Sequence, residues 1–68
     1  MNNEILEIFN DLGKRASYHY ADDTVSGEWR LGSKCEQAAR KLFNDNPDLQ
    51  DEMLTIAKGF IWTLRKPE

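Results

Sequence analysis

Thiols, prolines and long apolar runs are all scarce in this chain. A single cysteine, Cys35, excludes an internal disulfide and any paired-thiol metal site, and it makes a reducing, cytoplasmic compartment the expected one. No stretch approaches the roughly 18–20 apolar residues that a helical membrane span needs. The N-terminus, MNNEILEIFNDLG, opens polar and sets Glu4, Glu7 and Asp11 inside its apolar stretch, which is unlike a secretory signal. Positive charge is short as well. Nine Lys plus Arg stand against twelve Asp plus Glu, a net charge of −3. That balance argues against a strongly basic nucleic-acid clamp and leaves room only for a local basic patch.

What is present is one domain, residues 1–68, near the lower size limit for a self-supporting hydrophobic core. A core of this size rarely contributes more than about 3–5 kcal/mol net, so most large apolar side chains must turn inward. Few buried positions remain for an enclosed active site.

The apolar residues Ile5, Ile8, Phe9 and Leu12 recur at helical spacing and predict a short amphipathic helix over 3–15. Asn2 or Asn3 can cap it, Glu4 and Glu7 suit its N-terminal dipole, and Gly13, Lys14 and Arg15 suit its end. From residue 16 the period changes to two. Ala16, Tyr18 and Tyr20 point one way; in the following segment Trp29 and Leu31 share a face opposite Glu28 and Arg30. Asp22, Asp23, Thr24, Ser26 and Gly27 supply turn chemistry between them. This pattern predicts a β-hairpin over 16–31, with a helical reading of 26–43 as the second choice. Ser33 followed by Glu36 forms a capping box, and the next helix runs 34–44 with Cys35, Ala38, Ala39, Leu42 and Phe43 on one face. Asn46 is expected to cap a third helix with Pro47 in its first position. Leu49, Met53, Ile56, Ala57, Phe60 and Leu64 form the stripe of that helix, which stops before Pro67. The expected fold is therefore α+β: helix, β-hairpin, helix, helix.

Residues 17–60 resemble the C-terminal domain of the RecA recombinase family. That family carries an aromatic "WYSY" strand, a turn, a Gly-Glu-basic return strand, a helix ending in an Asn-Pro turn, and a final helix with a Glu-Ile pair. Here the strand reads Ser17-Tyr18-His19-Tyr20 and the return reads Gly27-Glu28-Trp29-Arg30-Leu31-Gly32-Ser33. The helix end reads Leu42-Phe43-Asn44-Asp45-Asn46-Pro47, and Glu52 and Met53 stand at the Glu-Ile pair. The chain departs from the family in a longer turn, in Ser17 where tryptophan is common, and in a missing glycine of the return. It also has no GxxxxGK[ST] phosphate loop and no acidic tail, so ATP-driven strand exchange lies outside its means. The resemblance implies a small sheet between helices and a role in DNA recombination or repair. It also implies weak duplex-DNA binding through the matching cations Lys14, Arg15, Arg30 and Lys34. At a salt slope of about −0.9 per phosphate neutralised, four cations support only weak, salt-sensitive binding.

The alternative is a protein-interaction module for a recombinase or another DNA-processing protein, encoded for example by a phage or mobile element. Its expected anchor is Trp62, which lies roughly opposite Met53 if helix three is continuous. If that helix ends early, Trp62 instead folds back onto the domain. Trp29, Tyr18 and Tyr20 are expected in the core wall. His19 beside Asp22 and Asp23 falls short of a zinc ligand set, and Cys35 reads as a buried structural thiol. Asp48, Asp51 and Glu52 suit a helix N-terminus. The sequence thus predicts a non-enzymatic binding domain with no metal, cofactor or small-molecule substrate.

Overall fold

The computed structural model describes the backbone of residues 2–26 and 34–66, and the side chains of residues 3–18 and 34–66. Helix α1 spans Asn2–Ser26, α2 spans Lys34–Asp45, a 3-10 turn spans Pro47–Leu49, and α3 spans Gln50–Ala57. Among the described residues there is no strand. The expected α+β fold is therefore corrected to an all-helical one. The first arm of the expected hairpin, from Ala16, is the second half of α1. Its return arm, with Trp29, Arg30 and Leu31, lies outside the described residues, as does the capping residue Ser33.

The reason α1 continues is local. Residues 14–26 contain neither proline nor glycine, so nothing interrupts the hydrogen-bond ladder before Gly27. At about 100° per residue, Phe9, Gly13, Ala16 and Ser17 fall on one side of the helix, and all four are buried. Tyr18 falls about 180° from Phe9 and is 74% exposed rather than part of a core wall. The alternation of Ala16 with Tyr18 is thus an inward and an outward position of a helix. At 25 residues and about 1.5 Å of rise each, α1 spans the 38 Å longest dimension of the molecule.

At the end of α2 the Asn-Pro break works differently from the expected N-cap. The Asn46 side chain makes no cap to the following helix; its Nδ2 donates back to the Leu42 carbonyl at 2.8 Å. Gln50 Nε2 donates to the Phe43 carbonyl at 3.2 Å. The Leu42 carbonyl thereby gains a side-chain partner, and the Phe43 carbonyl a second one beside the Asn46 N–H at 3.3 Å. Pro47 opens the 3-10 turn, where its missing N–H costs nothing, and α3 begins only at Gln50.

Helix α3 is shorter than its apolar stripe implies. It stops at Ala57, where the Gly59 N–H bonds the Ile56 carbonyl (3.1 Å) and the Phe60 N–H bonds the Ala57 carbonyl (2.9 Å). Beyond Gly59 burial alternates. Phe60, Trp62 and Leu64 turn inward while Ile61, Thr63 and Arg65 stay exposed. On a helix Phe60 and Trp62 would sit about 200° apart and could not both meet one surface. In the bend at residues 60–62 both do. The core comprises Phe9, Ala16, Ala39, Phe43, Leu49, Met53, Ala57 and Trp62, drawn from all three helices and this closing strap.

Gly13 sits where the Phe60 ring lies on α1. A Cβ placed there would come within 1.9 Å of the ring. Alanine in place of glycine inside a helix normally stabilises by about 1 kcal/mol, whereas overpacking typically costs about 1–3 kcal/mol. The ring is confined by Phe9 on one side and Trp62 on the other, so overpacking should win. Gly13→Ala is expected to lower the urea midpoint, and Gly13→Ala in a Phe60→Ala background to raise it relative to Phe60→Ala alone. A Gly13→Ala chain more resistant to urea than the wild type would contradict this packing.

Candidate functional site

The strap at residues 60–64 is held at several points along its length. The Trp62 indole Nε1–H donates to the Gly13 carbonyl at 3.1 Å, which the missing side chain of Gly13 leaves approachable. The Ile61 backbone N–H donates to Ser17 Oγ at 3.0 Å. Phe60 stacks on Trp62 with centroids 5.1 Å apart and meets Phe9 in a tilted contact at 5.7 Å. From α2, Arg40 places its guanidinium 5.0 Å from the Trp62 ring centre. The same group donates to the Thr63 carbonyl at 2.9 Å and pairs with Glu36 Oε2 at 2.8 Å. A planar cation can stack on an aromatic face and donate sideways at once, which an ammonium cannot do as well.

This anchoring decides between the two readings of Trp62. The helix ends early, Trp62 is 5% exposed, and the residue expected to anchor a partner is a core residue instead. The misleading signal was the helical stripe of α3, which includes Phe60 and Leu64 by coincidence of spacing. The alternation of Phe60, Trp62 and Leu64 was the readable sign that the helix does not continue through them.

Docking the strap on α1 leaves a groove beside it. Lys14, Ser17 and Tyr18 form the α1 wall, Gly59 and Ile61 the opposite wall, and the space between them is ≈ 360 Å³. Tyr18 and Ile61 are 74% and 61% exposed. Ile61 is held facing outward because its own N–H is fixed to Ser17 while its neighbours Phe60 and Trp62 turn in. Lys14, one turn before Tyr18, brings the groove an exposed ammonium, with no ion pair among the described residues.

The other expected cations do not gather there. Arg15 lies about 100° around α1 from Lys14 and pairs with Asp11 at 3.1 Å, both side chains well exposed. Lys34 is exposed at the first residue of α2. Arg30 lies outside the described residues, as do the side chains of His19, Asp22 and Asp23. Cys35 is half-buried at the start of α2. Among the described residues no group of three or more His, Cys, Asp or Glu is placed to hold a metal ion, and no helix is long and apolar enough to cross a membrane. The sequence pattern gave Gly13 only a place at a helix end and Ser17 one in a strand, and Arg40 carried no signal; their roles arise only when the strap meets α1 and α2.

No family model, curated protein or solved structure matches this chain.

Trp62 separates a packing role from a surface role. Trp62→Phe keeps the stack on Phe60 but removes the donor to Gly13, and should cost about 1 kcal/mol. Trp62→Ala should cost about 3–5 kcal/mol, comparable with the whole net contribution of a core this small, so the chain should lose its helical circular-dichroism signal at ambient temperature. Wild-type melting of Trp62→Ala would show that the strap is not structural.

Proposed function

We propose that this chain is a small non-catalytic binding domain that docks on another protein, a recombinase or related DNA-processing protein, through the groove between α1 and the 59–61 turn. The observation that carries the reading is the placement of Tyr18 and Ile61. Two large side chains, both more than half exposed, line one groove. A domain this small needs its apolar area in the core. Singly scattered surface apolar residues need no explanation, but two that line one concavity make a patch of the kind that marks interaction sites. Residues of α1, Gly59 and Ile61 hold the walls, so the surface is built before a partner arrives.

The partner class comes from the resemblance in the second half of the chain. The helix ending at Asp45, the Asn46-Pro47 break and the following helix with Glu52 and Met53 fall where the recombinase family has its last two helices. The aromatic strand of that family has no counterpart here, and the sheet it implied is not part of the reading. A domain that keeps part of the recombinase lobe would act by imitating or displacing that lobe. The lone Cys35 favours the cytoplasm as its compartment.

A second reading, weak duplex-DNA contact, is favoured by Lys14 and Lys34, each exposed and without an ion pair among the described residues. Arg15 adds little, since its charge is already partnered by Asp11.

Titrating the isotope-labelled chain with a RecA-type recombinase should shift or broaden the amide signals of Lys14, Tyr18, Gly59 and Ile61, and Tyr18→Ser with Ile61→Ser should abolish the effect without altering the helical signal. No perturbation by the recombinase, with or without DNA, would remove that partner. A duplex gel shift at about 50 mM salt that disappears on Lys14→Glu with Lys34→Glu, in the absence of any recombinase effect, would replace the protein reading with the DNA one.

A further inference from the structure

We infer that the groove takes an acidic peptide segment carrying one large apolar side chain, an inference that rests on the groove being a docking surface and names the chemistry of its occupant. The apolar part of the recognition is Tyr18 and Ile61, which offer a phenol face and a branched aliphatic surface across the concavity. Between them there is room for a single bulky side chain of the partner. An entering ring or aliphatic group would bury area on both walls, and the Ser17 hydroxyl on the groove floor is already engaged by the Ile61 N–H.

The polar part is set by charge. Lys14 stands on the α1 wall with its side chain exposed. It forms no ion pair among the described residues, whereas the nearest preceding carboxylate on α1, Asp11, is held by Arg15 at 3.1 Å. The groove therefore has one unpaired ammonium in a chain whose net charge is −3. Carboxylates flanking the partner's apolar side chain complement that local sign, and the pairing sets register and encounter rate more than raw affinity. Duplex DNA fits less well. It offers no apolar group to cover Tyr18 and Ile61 with its phosphates, and its dense negative charge meets the acidic remainder of the chain.

The test uses the full chain and a synthetic peptide in which one phenylalanine is flanked on both sides by glutamates. Control peptides replace the phenylalanine with serine or the glutamates with lysines, and a short DNA duplex and vesicles of mixed phosphatidylglycerol and phosphatidylcholine are run alongside. The glutamate–phenylalanine peptide should shift the amides of Lys14, Tyr18, Gly59 and Ile61, and both control peptides should leave them still. Lys14→Glu and Ile61→Ser should each weaken binding by roughly three- to tenfold, with Lys41→Glu, on α2 and outside the groove, unchanged. Equal binding of the lysine peptide, shifts that avoid the groove, or a groove that responds to duplex or vesicles in place of the peptide would each overturn the inference. Peptide binding without any recombinase effect keeps the acidic-segment chemistry and discards the recombinase. A recombinase effect at the groove without peptide binding does the reverse.

Discussion

The packing of Phe60 and Trp62 onto the bare backbone at Gly13 is the contact on which the rest of this small structure depends. Glycine is a poor residue for the middle of a helix, and at position 13 it opens a flat place on α1 where an aromatic ring can lie against the main chain. The Phe60 ring occupies that place, and the indole N–H of Trp62 reaches the Gly13 carbonyl beside it. A cost in helix propensity at one residue is offset by two large rings removed from water. Without the strap, the Phe9 ring would lose the Phe60 ring that meets it at 5.7 Å.

Arg40 extends the same contact to the second helix. Its guanidinium packs near the Trp62 ring, donates to the strap backbone at Thr63 and pairs with Glu36 on its own helix. One side chain thereby ties α2 to a segment that leaves α3, and Trp62 is enclosed between α1 and α2. A chain of 68 residues has few layers with which to bury an aromatic pair; here the bent segment at residues 60–64 supplies the missing layer in place of a third long helix.

The surface follows from the interior. Ile61 points outward from the bend between two inward aromatics, and Tyr18, on the side of α1 opposite Phe9, does so too. The hydrogen bond from Ile61 to Ser17 draws these two exposed groups to one groove. The proposed docking face is therefore a by-product of how the core closes, built from residues whose neighbours are all committed inside.

Composition and local pattern by themselves determined that α1 starts near Asn2, that α2 carries Ala39 and Phe43 inward, and that the Asn46-Pro47 step ends a helix. These are legible because each depends on side chains within a few residues of one another: a cap, a breaker, an apolar stripe. Period alone was not enough where stripes were short. Ala16, Tyr18 and Tyr20 satisfy an alternating template, and Phe60 and Leu64 satisfy a helical one. In neither place does the matched conformation hold, because the partner surface sets which side chains turn in. Whether Trp62 faces solvent or core and which apolar groups are left outside were decided only by the tertiary structure. The physical reason is that burial is a property of two surfaces meeting, and the residues that meet at Gly13 are more than forty positions apart along the chain.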